Sequence, residues 1–166
     1  MKKTIIALVA VFAMALNANA QKFGHVDTQN IMQSLPELTK VNGELQAIAQ
    51  QYDNDIKAMQ EELQRKAEEY DKNKATMSAT AQQEQEKALQ DMATKIQQTY
   101  QQNQQSFQKQ QQEKMQPIQQ KIMTAIQNVG KAGQYTYIFE NGAALYVGPS
   151  SKDVTSEVKA EINKLK

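Results

Sequence analysis

Few side chains in this sequence have the types and spacing that catalysis requires. His25 is the only histidine, and it lies in a short predicted strand with no nucleophile or orienting group beside it. A general base needs such partners within hydrogen-bond reach, so we interpret His25 as a structural residue. The chain has no cysteine, which excludes thiolate nucleophiles, disulfides and zinc–thiolate sites. We therefore expect that the protein is not an enzyme.

Clusters of carboxylates are the next candidates, because they could bind metal ions. Asp53-Asn54-Asp55 has the residue types of a calcium loop but lacks the glycine and the distal glutamate that such a loop requires. The pairs Glu61-Glu62 and Glu68-Glu69 are typical of solvated helix faces. The sequence also lacks a glycine-rich phosphate loop. It therefore predicts no metal ion and no cofactor.

The charge of the chain excludes a further class of function. A protein that binds nucleic acid needs a basic face. This chain has 19 Lys+Arg against 18 Asp+Glu, and Arg65 is its one arginine. We therefore expect no nucleic-acid partner.

More than half of the chain, residues 38–129, has the periodicity of two long amphipathic helices. Apolar residues recur every three or four positions, which places them on one stripe of each helix. The first stripe consists of Leu38, Val41, Leu45, Ile48, Tyr52, Ile56, Met59, Leu63, Ala67 and Tyr70. The second consists of Leu89, Met92, Ile96, Tyr100, Phe107, Met115, Ile118, Ile122, Ile126 and Val129. Such thin stripes favour a partner helix over a globular core.

The two runs are predicted to form an antiparallel coiled-coil hairpin that reverses near Met77 and Ser78. With a reversal there, facing residues have numbers that add up to about 155. Ser78 and Thr80 are candidate N-caps of the returning helix. The stripes of the two helices can then pack against each other.

The tract 97–120 is rich in glutamine, a composition that is also typical of disordered segments. Apolar residues keep their helical spacing through it, at Tyr100, Phe107 and Met115, and this favours a helix. Pro117 is predicted to kink or restart that helix, because proline removes a backbone donor and crowds the preceding turn.

Residues 1–20 have the pattern of a cleaved secretory signal peptide. Two lysines precede the apolar run Thr4–Leu16, and the small-residue cleavage site Ala18–Ala20 follows. The apolar run is shorter than the roughly 20 residues that a membrane-spanning helix needs. We expect a mature periplasmic protein that begins at Gln21. Cleavage would leave 17 Lys+Arg against 18 Asp+Glu, a net charge of −1.

The segments outside the hairpin are predicted to form a small body. Apolar and polar residues alternate over Lys22–Asp27, which predicts a short strand. A short helix over residues 31–35 should follow and end before Pro36. Tyr135–Glu140 and Ala143–Val147 flank Asn141-Gly142, which predicts a β-hairpin.

A last helix is predicted to end at Leu165. Its apolar face would be Val154, Val158, Ile162 and Leu165, with Asp153 or Thr155 as the cap. A body this small buries little surface and leaves exposed strand edges. We therefore expect it to associate with other copies.

These segments predict an α+β fold, with a long helical hairpin that projects from a small β-containing body. We divide the chain into a signal peptide over residues 1–20, a body over 21–37 and 117–166, and a hairpin arm over 38–116.

The order of the segments resembles the Skp/OmpH family of periplasmic chaperones, over the whole mature chain. The most specific similarity lies in the stretches KFGHVDTQNIM, YIFENGAALYV and KDVTSEV. The resemblance implies a homotrimer, in which the bodies share a β-barrel and three hairpins surround a cavity. It also implies that unfolded outer-membrane proteins are held there before insertion, without ATP. The candidate subunit contacts are Phe23, Val26, Tyr137, Phe139, Leu145 and Val147.

A holdase must bind many sequences weakly, and methionine and aromatic side chains adapt to varied partners. The same side chains also suit the seam between the two helices, so both interpretations remain open. The candidate client contacts are Met59, Tyr70, Met77, Met92 and Tyr100.

One property differs from the family. The family's best-known members have strongly basic arms, whereas residues 61–95 here contain six basic and eight acidic residues. This net charge of −2 argues against direct binding to membrane lipid. The alternative to a chaperone is a structural or adaptor coiled-coil protein of the cell envelope.

Overall fold

The structure, a computed structural model, describes residues 21–165. The predicted signal peptide lies outside these residues. The described elements are β1 (Phe23–Val26), α1 (Thr28–Gln33), α2 (Pro36–Asn73), a 3₁₀ turn (Lys74–Thr76), α3 (Ala79–Ala132), β2 (Tyr137–Glu140), β3 (Lys152–Asp153) and α4 (Thr155–Ile162). The chain divides into two compact units. The hairpin unit is Gln33–Gln120, and the sheet unit contains residues 21–32 and 121–165.

In the hairpin unit, α2 begins where proline permits it. Leu35 has an extended backbone, and Pro36 occupies the first helical turn. A backbone N–H there has no partner within the helix, so the N–H that proline lacks costs no hydrogen bond. The helix continues for 38 residues, through Gly43 and the Asp53-Asn54-Asp55 stretch. The predicted first helical run is therefore confirmed, with a start two residues earlier than Leu38.

The reversal of the hairpin lies close to its predicted position. The 3₁₀ turn Lys74–Thr76 follows α2 directly, and Ser78 precedes α3. The Ser78 hydroxyl accepts a 3.3 Å hydrogen bond from the Ala81 backbone N–H, so Ser78 is the N-cap. Thr80 lies inside α3, so its prediction as a cap is wrong.

Helix α3 is 54 residues long and contains Pro117 in its interior. The prediction that the helix restarts at Pro117 is therefore wrong. Proline removes one backbone hydrogen bond, which is a local loss. The helical turns on either side of Pro117 maintain the helix, because helix propagation is cooperative. The glutamine-rich tract lies within α3 and is helical throughout.

Side chains link α2 to α3 at three levels of the hairpin unit. Tyr70 bonds to Glu86, Lys114 Nζ lies 2.6 Å from Glu44 Oε2, and Gln110 bonds to Tyr52 at 3.0 Å. Their residue numbers add up to 156, 158 and 162. The predicted total of about 155 is matched to within one at the Tyr70–Glu86 pair beside the turn and is exceeded by three to seven at the two pairs further along the hairpin.

In the sheet unit, the helix α3 ends in a Schellman motif. The Gln134 N–H bonds to the Lys131 carbonyl and the Tyr135 N–H to the Gly130 carbonyl, at 3.2 and 3.0 Å. Gln134 adopts a positive φ of 54°, the left-handed conformation that this motif requires. The motif turns the chain into β2.

The three strands form a parallel sheet in the order β2-β1-β3. β1 lies in the centre and pairs Phe23 with Tyr137 on one side and His25 with Asp153 on the other. A Cβ at Gly24 would lie 3.1 Å from the Tyr135 ring and 3.2 Å from the Lys152 carbonyl oxygen, so glycine fits this central position. The predicted first strand is confirmed.

The predicted β-hairpin around Asn141-Gly142 is wrong. A turn does form, because the Ala143 N–H bonds to the Glu140 carbonyl at 3.0 Å, but residues 143–147 form no strand. Gly142 has a φ of 85°, and Asn141 does not have the positive φ that a type I′ turn requires. A negative φ followed by a positive one is the pattern of a type II turn, which splays the flanking strands. β2 pairs with β1 instead.

Short helices cover one face of the sheet. Asp27 caps α1 by accepting a 2.7 Å bond from the Asn30 N–H, and α1 begins three residues before the predicted helix. Asp153 accepts a 2.8 Å bond from the Thr155 N–H at the start of α4. α4 ends at Ile162, before the predicted Leu165. The buried apolar residues of this unit are Val26, Ile31, Ile122, Ala125, Val154, Val158 and Ile162.

Candidate functional site

His25 occupies the middle of β1, between the neighbouring strands. Its Nδ1 atom lies 3.2 Å from the Ser151 hydroxyl, and its register partners are Phe139 and Asp153. The pKa of Asp153 is lowered, first by its hydrogen bonds to Thr155 and then by the nearby His25. Asp153 thus forms its hydrogen bond with the start of α4 and does not orient the imidazole. The structure therefore places a hydroxyl within hydrogen-bond reach of His25, which the sequence interpretation did not expect, and the contact joins β1 to the segment that precedes β3.

Within residues 21–165, no group of three or more His, Cys, Asp or Glu side chains is placed to bind a metal ion. Asp53-Asn54-Asp55 lies in the interior of α2, where successive side chains point in different directions. Asp55 accepts a 2.7 Å hydrogen bond from Gln51 one turn earlier, which is an ordinary contact on a helix surface.

The candidate client contacts occupy different environments in the hairpin unit. Tyr100 is 52% exposed, whereas Tyr70 is only 8% exposed. The three methionines are intermediate in exposure: Met59, Met77 and Met92. Tyr100 therefore presents its ring on the surface, and Tyr70 packs into the seam of the hairpin.

Tyr70 belongs to a polar cluster near the turn, which we call the hairpin tip: Tyr70, Lys74, Gln82 and Glu86. Hydrogen bonding to Glu86 raises the pKa of the Tyr70 phenol. The same bond, followed in strength by the charge of Lys74, lowers the pKa of Glu86. Gln82 Nε2 donates to the Met77 carbonyl and also to the Lys74 carbonyl, which accepts a second hydrogen bond from the Met77 N–H. The hairpin tip fixes the reversal.

Between α2 and α3 lies an open depression, which we call the hairpin groove. Its volume is about 380 Å³. Aromatic and apolar side chains form much of its wall, and one carboxylate and several amides complete it. The lining residues are Ala49, Tyr52, Asp53, Ile56, Tyr100, Asn103, Gln104, Phe107 and Gln108. Tyr100 is the one predicted client contact among them.

The sheet unit carries an exposed apolar surface, which we call the aromatic face: Phe23, Tyr137 and Phe139. The rings of Phe23 and Tyr137 stack at 6.1 Å, and those of Tyr137 and Phe139 at 5.8 Å. Alternation along β1 and β2 places these rings on one side of the sheet. Tyr137 is 58% exposed and Phe139 is 44% exposed. A contiguous surface of this kind is typical of interaction sites.

The other predicted subunit contacts lie in two different environments. Leu145 is fully exposed and Val147 is 41% exposed, in the segment that follows the turn at Gly142. Val26 is only 2% exposed, because alternation along β1 directs it into the core of the sheet unit. Val26 therefore packs behind the sheet, on the side away from Phe23.

The sequence interpretation missed the juxtaposition of Asp53 and Asn103 in the hairpin groove. That interpretation considered Asp53 only as part of an incomplete calcium loop, and it covered Asn103 only as part of the glutamine-rich tract. One signal was present: Asn103 falls between Tyr100 and Phe107 at helical spacing, a polar residue at a seam position.

Among the helices that the structure describes, none combines the length and the apolar composition that a membrane-spanning helix requires.

Comparisons with known proteins place these features in a family. A model of the family described as outer membrane protein (OmpH-like) matches residues 22–162. A crystal structure from Caulobacter crescentus CB15, provisionally described as an outer membrane chaperone (OmpH-like), superposes with a TM-score of 0.75. It shares 22% sequence identity, and the match covers 89% of this chain and 87% of that chain. At this identity the likeness shows the fold alone.

A search of curated proteins gave no match. The family match nevertheless confirms the resemblance seen in the sequence, because it extends through β1, both long helices and the C-terminal segments of the sheet unit. The chain belongs to the OmpH-like family.

Proposed function

We propose that this protein is an ATP-independent holdase chaperone that binds unfolded outer-membrane proteins and prevents their aggregation before insertion. The observation that carries the proposal is the family match over residues 22–162. Membership of the OmpH-like family supports a chaperone role, and this family is not a class of enzymes.

The hairpin unit has the surface chemistry that a holdase needs. It offers long helical surfaces on which apolar side chains are scattered among amides and charges. Tyr100 is exposed, and the methionines at positions 59, 77 and 92 are half-buried. Flexible methionine and aromatic side chains bind varied apolar sequences without a shaped pocket. We propose these four residues as direct client contacts and Tyr70 as a contact through the hairpin tip.

We further propose a homotrimer that forms through the sheet unit. The aromatic face is apolar and exposed, and β2 and β3 are the edges of a three-stranded sheet. Exposed edges and apolar faces are stabilised when they pair with another copy. Phe23, Tyr137, Phe139, Leu145 and Val147 would lie in the contact. Val26 would support it from behind, in the core of the unit.

The same proposal places the protein in the periplasm, after removal of residues 1–20 as a signal peptide. The charge pattern of these residues and the small side chains before Gln21 support export. The proposal also includes the boundaries predicted from the sequence. The body consists of residues 21–37 and 117–166, and the arm consists of residues 38–116.

The deciding experiment is the protection of an unfolded outer-membrane porin. The mature protein, at one trimer per porin, should keep the diluted porin soluble, as measured by light scattering. A triple variant, Met59→Ser, Met92→Ser and Tyr100→Ser, should lose most of this protection. The matched control replaces exposed glutamines of the same helices, Gln60→Ser, Gln90→Ser and Gln101→Ser, and should protect like the wild type.

Failure of the wild-type protein to protect the porin would overturn the chaperone proposal. The interpretation as a structural or adaptor coiled-coil protein would then remain. The mass in solution tests the trimer separately: multi-angle light scattering should give three times the monomer mass. Phe139→Asp should reduce that mass to the monomer, whereas Met123→Asp, at a side chain 54% exposed on α3, should leave it unchanged.

A further inference from the structure

The hairpin groove contains two polar groups without partners. The Asn103 Nδ2 atom is buried and forms no hydrogen bond. The Asp53 carboxylate, on the facing helix, forms no hydrogen bond or ion pair in residues 21–165. A buried amide N–H without an acceptor is rare in folded proteins and indicates a missing partner. The groove thus holds one buried donor without an acceptor and, on the exposed residue Asp53, one carboxylate without a protein partner.

The charged residues beside Asp53 on α2 bond to other partners. The lysine one turn later, Lys57, lies 3.9 Å from Glu61 and pairs with it. Asp55, two positions away, accepts a hydrogen bond from Gln51. Asp53 is therefore the carboxylate of this region that faces the groove without a local cation.

The charge of the groove identifies its complement. Its lining includes one carboxylate and no lysine, arginine or histidine. Three of the lining side chains are aromatic, and the Tyr100 ring is more than half exposed. Aromatic rings attract cations over their faces, and a planar guanidinium stacks on them while it binds a carboxylate. An arginine side chain combines this head group with an apolar stem that suits Ile56 and Phe107.

We propose that the hairpin groove binds an arginine side chain of an extended, unfolded client segment. The guanidinium would donate to the Asp53 carboxylate and lie against Tyr100. The Asn103 amide, whose Nδ2 atom is buried in the groove, would turn toward the segment and donate to one of its backbone carbonyls. The proposal rests on the proposed chaperone function, because it names one feature that the client must present. It adds an electrostatic preference to a surface otherwise suited to apolar contacts.

The test uses the full mature protein and two fluorescein-labelled, unstructured decapeptides. They are identical in sequence except that one contains a single arginine and the other a citrulline, which has the same shape without the charge. Fluorescence anisotropy should give roughly two- to fivefold tighter binding of the arginine peptide, the range expected for one exposed ion pair. Asp53→Asn should abolish this preference. Asp55→Asn, the same change two residues away, should retain it.

Asn103→Ala should weaken both peptides to a similar extent, because the donor contacts the backbone and not the side chain. Equal binding of the two peptides to the wild type would overturn the proposal. So would an equal loss of preference in Asp53→Asn and Asp55→Asn. A change of oligomeric mass in Asp53→Asn without a change in the peptide preference would assign the groove to a subunit contact, which also overturns it.

The porin assay separates this proposal from the proposed function. Full porin protection without an arginine preference would remove the groove site and leave the chaperone function intact. An arginine preference without porin protection would support the groove site and overturn the chaperone function.

Discussion

The Tyr70 hydroxyl donates a 2.5 Å hydrogen bond to Glu86 Oε1, and this bond joins α2 to α3 beside the turn of the hairpin unit. Lys74 Nζ lies 3.5 Å from the same carboxylate oxygen and 5.3 Å from the centre of the Tyr70 ring. The tyrosine ring is almost fully buried although its hydroxyl bonds to a charged group. This side chain therefore closes the end of the apolar seam and also anchors the polar hairpin tip.

Tyr70→Phe should loosen the hairpin tip without disturbing the seam, because the ring remains and only the hydrogen bond is lost. We expect the melting temperature to fall by roughly 1–4 °C, the shift that one hydrogen bond gives in a chain of this size. Hydrogen exchange should become faster at residues 70–86. Tyr146→Phe, at a ring 81% exposed in the sheet unit, is the control and should change neither measurement. Unchanged exchange at the tip in Tyr70→Phe would contradict the role of this bond.

The hairpin tip should weaken at both extremes of pH. The hydrogen bond to Glu86 raises the pKa of Tyr70, so its contribution is complete below the ordinary value of 10.0 and is lost as the pH rises through the folded-state pKa. The pKa of Glu86 is lowered, so its contribution is present above the ordinary value of 4.5 and is lost as the pH falls through the folded-state pKa. The difference in melting temperature between the wild type and Tyr70→Phe should therefore be largest near neutral pH. The difference should shrink progressively as the pH falls below 4.5 and as it rises above 10.0, and a difference that stays constant across this range would contradict the assignment.

Ile162→Ala should destabilise the sheet unit strongly. Ile162 is 1% exposed and is the last buried residue of α4. Removal of a buried isoleucine side chain to alanine costs about 2–5 kcal/mol, because apolar contacts are lost and a cavity remains. Urea unfolding followed by circular dichroism measures the change. Met123→Ala, at an exposed side chain of the same unit, should change the free energy of unfolding by less than about 0.5 kcal/mol. Similar effects of both substitutions would show that Ile162 is not in a packed core.

Gln134→Gly should stabilise the protein. Gln134 has a φ of 54° at the end of α3, a conformation that glycine adopts without the steric cost of a Cβ atom. We expect a gain of about 1 kcal/mol in the free energy of unfolding. Gln134→Ala keeps the Cβ atom and should give no such gain. A loss of stability in Gln134→Gly would mean that the glutamine side chain makes a compensating contact.

The helical elements could be predicted because their signals are local. The apolar stripe from Leu38 to Tyr70 needs only the spacing of neighbouring side chains. Pro36 marks the start of α2 by its fixed backbone, and Ser78 marks the start of α3 by its capping hydroxyl. The strand pairing could not be predicted in the same way. β1 and β2 are separated by more than one hundred residues, and the choice between a parallel partner and the local hairpin depended on the turn conformation at Asn141-Gly142.

The sequence by itself determined two long helices that reverse near Ser78, the absence of thiol chemistry and the resemblance to the Skp/OmpH family. Periodicity, capping and composition are properties of neighbouring residues, so they can be read without a fold. Only the tertiary structure decided that Val26 faces the core while Phe23 joins Tyr137 and Phe139 on the aromatic face. It also decided that Asp53 and Asn103 line one groove. These relationships depend on the register between distant segments, which packing fixes and no local pattern encodes.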